Sequence, residues 1–296
     1  MREALSLVIV PVDGSPTADA ATRHASLLAH LLQARLQLVH VMPLNPAELS
    51  DVPANRRDEV DRDRSQRLEA VKAAFSHARG VVPEALEVSL DEVTLEEDGF
   101  VRHPARTIVE YASKQKSCLL VIGARHLSDF SKFMEGSVSD EVVHKATCPV
   151  TIVHPEAGDT SGERIGRVLM PVDGSPHSDH AATLAGELAR RAAAPVDLMF
   201  CRPKGTPPPE AGEKDEAERV FQRARQSLGE IPAGIATHIL EGDRYAESIA
   251  EFAHALSDSP IIVMGRRGLG TWREKLVGSV SHRVIDLAHC PVTVTV

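Results

Sequence analysis

Short, nearly unbroken runs of aliphatic residues recur along this chain, separated by longer stretches whose apolar positions return every three or four residues. Leu5–Val10, Leu36–Val41, Leu86–Leu90, Cys118–Ile122 and Val150–Val153 are runs of the first kind. Val168–Met170, Val196–Phe200, Ile235–Leu240, Ile261–Met264 and Val292–Val296 form a second set. Runs of this length with little polar alternation predict β-strands covered on both faces. The stretches between them predict helices. Ala217, Val220, Phe221, Ala224 and Leu228 fall on one helix face, and Val280, Val284, Leu287 and Ala288 on another that begins after Gly278. Alternation of this kind, repeated four times, predicts an α/β fold with a mainly parallel, doubly wound sheet and helices on both faces. Such sheets bind ligands beyond the carboxyl ends of their strands, where the strand order reverses.

The pattern is written twice. Val8-Ile-Val-Pro-Val-Asp-Gly-Ser-Pro16 returns 160 residues later as Val168-Leu-Met-Pro-Val-Asp-Gly-Ser-Pro176. Gly136-Ser-Val-Ser139 returns as Gly278-Ser-Val-Ser281, and Cys148-Pro-Val-Thr151 as Cys290-Pro-Val-Thr293, both at an offset of 142. The first copy therefore holds 18 extra residues between its matched segments. Part of that surplus falls in Glu84–Gly99, which carries seven acidic residues and no basic one. It reads as a lengthened, solvated strand and loop, or more sharply as an acidic docking surface. Turn formers crowd the seam from His154 to Gly166. The expected division is a first domain at 1–156, a linker at 157–166 and a second domain at 167–296, in keeping with about 150 residues per domain.

Composition narrows the partners. A net charge of −9 argues against a polyanion or an anionic membrane, and 3% aromatic residues against stacking of single-stranded nucleic acid. No apolar run approaches the ~18 residues of a membrane-spanning helix, and Leu5–Val12 is too short for a signal peptide, so a cytoplasmic location is expected. The cysteines Cys118, Cys148, Cys201 and Cys290 form no C-x-x-C pair and read as reduced, packed side chains.

Two turns carry candidate chemistry. Asp13 and Asp173 come directly off the first strand of each copy. Gly14 and Gly174 then permit a sharp reversal, and Ser15 and Ser175 cap the following helix, with Pro16 and Pro176 at its first position. Nothing local in the sequence calls for an acid at the aspartate. The second turn reads Gly265-Arg-Arg-Gly268, nine residues, then Gly278-Ser279. Glycines let a backbone approach an anion closely, and Ser279, Val280 and Ser281 would present amide hydrogens at a helix N-terminus. Arg266 or Arg267 could add a charged contact. A plainer reading is that the glycines cap turns and the arginines are solvated. The first copy keeps Gly123, Gly136, Ser137 and Ser139 but has His126 at the second glycine.

These motifs resemble the nucleotide-binding branch of the universal stress protein family, over nearly the whole chain and as a tandem. The resemblance implies two five-stranded parallel sheets of the adenine nucleotide alpha hydrolase-like fold, pseudo-twofold related. It also implies ATP, with Mg²⁺, as ligand. Asp173 and the backbone of Val172 and Cys201 would meet the base. Met264, Gly265, Arg267, Gly268, Gly278, Ser279, Val280 and Ser281 would line the phosphate end. Asp13, Gly123, Gly136 and Ser137 are the corresponding positions of a degenerate first site. By analogy with family dimers, Val150–Val153 and Val292–Val296 would join the two copies. The function implied is that of a nucleotide-dependent stress-response sensor or regulator with a protein partner still to be identified, and the chains themselves could pair as homodimers. The alternatives are a slow ATPase or nucleotidyl-transferring enzyme and a nucleotide-free scaffold. No G-x-x-x-x-G-K-[ST] loop and no G-x-S-x-G elbow occurs. The chain has fourteen histidines, with His177 and His180 at i,i+3 spacing, but no ligand signature, and no metal site is assigned. Trp272 reads as a hydrophobic anchor of the nine-residue loop or as a lid over the nucleotide.

Overall fold

The computed structural model describes residues 4–43, 57–97, 103–124, 138–155, 164–207, 215–266 and 278–296. The first half runs β1 (Leu7–Pro11), α1 (Pro16–Leu32), β2 (Arg35–Met42), α2 (Arg57–Val81), β3 (Leu90–Glu96), α3 (Pro104–Ser113), β4 (Cys118–Gly123), α4 (Val138–Lys145) and β5 (Val150–Val153). The second repeats it as β6 (Arg167–Pro171), α5 (Pro176–Ala192), β7 (Val196–Arg202), α6 (Glu216–Leu228), β8 (Ile235–Glu241), α7 (Tyr245–His254), β9 (Pro260–Gly265), α8 (Ser279–Leu287) and β10 (Val292–Thr295).

The strands form one ten-stranded sheet in the order β3-β2-β1-β4-β5-β10-β9-β6-β7-β8. Pairing is parallel within each half. The last strands, β5 and β10, pair antiparallel, with Thr151 opposite Thr293, so the join expected from the resemblance is present. The Thr151 and Thr293 hydroxyls lie 2.8 Å apart, fully buried, at residues related by the repeat offset of 142. This pair marks the pseudo-twofold relating the halves. Joining the sheets there removes two edges that would otherwise expose unpaired backbone. Two apolar layers cover the sheet. One draws on α1, α2, α5 and α6, the other on α3, α4, α7 and α8, and each runs through both halves.

Most elements follow the pattern that predicted them. In α6, Ala217, Val220, Phe221, Ala224 and Leu228 are the buried residues. Two elements differ. The third strand occupies Leu90–Glu96 rather than Leu86–Leu90, because it is an edge strand whose residues are only partly covered. Leu86 and Val88 instead pack beside the core. Its acids meet basic neighbours: Asp91 accepts from Arg35 at 3.0 Å, and Glu92 pairs with Arg79 of α2. In α8 the predicted Val284 and Ala288 are buried and Val280 packs beside the core, but Leu287 is only partly covered. Ile285 and Ser281 are buried too, the Ser281 hydroxyl donating to the Gly265 carbonyl at 2.9 Å.

Candidate functional site

In each half the strand order reverses between the first and fourth strands, β1/β4 and β6/β9. The aspartate-bearing turns leave the sheet at these two points. Gly14 and Gly174 adopt φ of +78° and +77°, the left-handed region that glycine enters without steric cost. Ser15 Oγ accepts from the Ala18 amide at 3.3 Å and Ser175 Oγ from Ser178 at 3.2 Å, so both cap their helices, each with proline in the first turn. The aspartates have a local task that sequence reading missed. Asp13 Oδ1 accepts from the Ser15 amide at 2.9 Å and Asp173 Oδ1 from the Ser175 amide at 3.0 Å. Such Asx turns pin the reversal. Asparagine could make the same bond, so the turn itself does not explain the negative charge.

The junction in the first half frames an open cleft of about 530 Å³ between Pro11–Asp13, the end of β2, and Ile122–Ala124 with Ser139. Gly123 ends β4 here. A Cβ on it would lie 2.1 Å from the Thr17 carbonyl oxygen, so the glycine is required by the first turn of α1. The Val12 backbone is engaged on both sides: its amide donates to Val39 O at 2.8 Å, and its carbonyl oxygen lies 2.7 Å from His40 Nδ1.

In the second half, Val172, Asp173, Met264, Gly265, Gly278, Ser279, Val280 and Ser281 come to the corresponding junction. Val172 and Met264 are buried, and the Val172 amide donates to Met199 O at 2.9 Å. A Cβ on Gly265 would come within 2.9 Å of His177. Its missing side chain is therefore filled by α5, not by room kept for an anion as the spacing suggested. The Gly278 amide donates to Arg266 O at 2.7 Å, and Gly278 caps α8 without a side-chain bond. The amides of Ser279, Val280 and Ser281 form the first turn, where no intrahelical acceptor exists. At the end of β7, Cys201 packs against the apolar layer, and burial pushes its thiol up to about 11, which keeps it neutral and a poor nucleophile. Arg267, Gly268 and Trp272, with His126, Gly136 and Ser137 of the first copy and 157–163 of the linker, lie outside the described residues.

Arg266 corrects the sequence reading. It is 5% exposed and points away from the junction, across the seam between halves. Its Nη1 donates to Ala146 O at 2.6 Å and to Val143 O at 3.4 Å, satisfying carbonyls at the carboxyl end of α4, where positive charge is also favoured. His154 returns the arrangement from the first half, with Nε2 lying 3.0 Å from Ile285 O of α8. Sequence offered no signal for either contact, since adjacent arginines also occur at 56–57 and 190–191.

A doubled, doubly wound sheet with an acid-bearing capped turn and a glycine-ended fourth strand at each reversal defines a tandem α/β protein. The model of the universal stress protein family matches residues 6–154 and again 164–295, and the chain belongs to that family. It is 27% identical over 300 residues to the universal stress protein Rv2623 of Mycobacterium tuberculosis (strain ATCC 25618 / H37Rv), covering 97% of this chain and 95% of that one. It is 30% identical over 296 residues to a universal stress protein of Mycolicibacterium smegmatis, covering 97% and 96%. Among solved structures, that of a universal stress protein from Archaeoglobus fulgidus superposes with a TM-score of 0.67 at 20% identity, over 98% of this chain and 95% of that one. Among the described residues no helix is long and apolar enough to cross a membrane.

Proposed function

We propose that this tandem universal stress protein binds an adenine nucleotide, ATP with Mg²⁺, through its second half and acts as a nucleotide-dependent regulator of a protein partner. The observation that carries the reading is convergence at one reversal point. Asp173, the glycine-ended strand β9 and the first turn of α8, whose Gly278 cap makes no side-chain bond, all meet there. A helix start of that kind suits phosphate oxygens. The open cleft at the equivalent junction of the first half has a volume within the roughly 300–1,000 Å³ of small-molecule sites, which supports this part of the fold as a ligand position. Mg²⁺ would enter with the phosphates and keep much of its water. Asp173 already uses one oxygen on the Ser175 amide, so the carboxylate is suited to holding the turn and meeting the base end rather than to activating water.

Two features disfavour the first half as an ATP site. His40 already faces the Val12 carbonyl, and His126 stands where the second glycine would be. Titration calorimetry of the full chain with Mg–ATP tests the reading: one site per chain is expected, lost in Gly268→Glu. Two equivalent sites, or no heat at millimolar nucleotide together with no nucleotide released on denaturing the purified protein, would overturn it. Metal-dependent ADP release well above background, lost in the same variant, would place the protein among slow ATPases instead.

A further inference from the structure

The repeat offset of 142 that relates Thr151 to Thr293 also places Asp140 in register with His282, and His144 with Asp286. Each helix thus carries an acid and an imidazole one turn apart, in opposite order, and α4 and α8 bring them together at the pseudo-twofold. His282 Nε2 lies 3.4 Å from Asp140 Oδ1, and His144 Nδ1 lies 3.2 Å from the same oxygen. The two imidazole centroids are 5.6 Å apart. One donor atom from each of Asp140, His144 and His282 falls within 4.8 Å of the other two.

We propose that this cluster binds a borderline transition-metal dication of the zinc class, which fastens the two halves to each other. Two imidazole nitrogens and a carboxylate oxygen suit Zn²⁺ or Co²⁺, whereas Mg²⁺ and Ca²⁺ take all-oxygen sets. Bonds of about 2.0–2.1 Å put neighbouring tetrahedral donors about 3.4 Å apart, which small rotations of these side chains reach. The surrounding contacts also fit. His144 Nδ1 lies 2.9 Å from the Asp140 backbone oxygen as well as 3.2 Å from the carboxylate, so a turn of the ring away from that carbonyl would offer the lone pair of this same nitrogen to the ion. Asp286 Oδ2 stands 3.6 Å behind His282 Nδ1, from where a small closure would make the carboxylate–imidazole hydrogen bond that orients a metal-binding histidine. With neutral imidazoles the four groups carry two negative charges, which a dication cancels. Exposures of 16% for Asp140 and 33% for His282 leave a path for the ion and for a water as fourth ligand. This site does not depend on the nucleotide reading.

The test is titration of the metal-stripped full chain with ZnCl₂ by calorimetry and with CoCl₂ by visible absorption, both without nucleotide. One ion per chain is expected, with the intense visible bands of four-coordinate Co²⁺ and a Tm raised by about 5 °C at a hundredfold excess of Zn²⁺ over Kd. The paired change His144→Asn with His282→Asn should weaken binding by at least about a hundredfold, and Asp286→Asn by about tenfold. Replacing His254 and His289, whose rings meet 4.2 Å apart elsewhere in the second half, should change nothing. Absence of micromolar binding by the wild-type chain would overturn the proposal without any variant having to fold. Binding that survives the paired change in a protein with unaltered circular dichroism would also overturn it.

Discussion

At the end of its second strand the first half places His40 against the Val12 carbonyl, while the second half places Phe200 at the same register, edge-on to Phe221 at 6.3 Å. The buried polar position near the start of that strand differs too. Gln37 accepts from the Tyr111 hydroxyl at 2.7 Å, whereas Asp197 holds Arg167 at 3.0 Å. The Arg167 guanidinium is held more firmly protonated than usual, chiefly by its hydrogen bond to Asp258, against the opposing effect of burial. After the fourth strand, Ala124 of one half answers to Arg266 of the other. By contrast, the glycine-serine-proline turns, the helix caps and Gly123/Gly265 are the same in both. Backbone geometry tolerates few solutions at a strand-to-helix reversal, so those positions repeat. The side chains lining the cleft and the seam answer to different neighbours, and there the copies part.

The comparison can be tested at the glycines first. Alanine at Gly123 puts Cβ 2.1 Å from a backbone oxygen, and at Gly265 2.9 Å from His177. Gly123→Ala should cost about 3 kcal/mol or more and Gly265→Ala about 1–2 kcal/mol in urea unfolding. Equal losses would show the two helix–strand contacts to be alike. Next is Arg266→Met, which leaves the Val143 and Ala146 carbonyls without their donor and should lower stability by about 2 kcal/mol, partly recovered in Arg266→Lys. Phe200→His would install the imidazole of the first half in the second. Because Phe200 is buried against Phe221, the change should lower Tm, and in calorimetry well below the unfolding transition it should weaken nucleotide binding about tenfold, or about 1.4 kcal/mol. An unaltered affinity would remove His40 as a reason for preferring the second half. The smallest effect is expected at the seam. Thr151→Val should cost about 1 kcal/mol by leaving the Thr293 hydroxyl alone, and the double replacement Thr151→Val with Thr293→Val less than the single one.

Legibility followed the range of the interaction. The face of α6 and the two capped turns were readable because spacing and cap chemistry concern residues a few positions apart. The third strand was misplaced because an edge strand is only half covered and lacks the continuous apolar run of its central neighbours. For α8 the spacing of aliphatics marked Val284 and Ala288, which are buried, but could not show that Ser281 is buried as well, its hydroxyl bonded to a strand-end carbonyl. Between Arg266 and Arg267 no local rule could choose. The answer for Arg266 lies in a helix end 120 residues away.

Taken alone, the amino-acid order determined that this chain is a repeated α/β unit, where its strands reverse into helices, and which residues cap those turns. Periodicity, glycine freedom and amide capping act between near neighbours, so these features are written locally. Tertiary structure alone decided that Gly265 yields its space to His177, that Arg266 and His154 each close the other half's last helix, and that two acids and two imidazoles meet on the pseudo-twofold. Those outcomes depend on which surfaces dock, and docking is governed by burial and hydrogen-bond satisfaction summed over both halves at once.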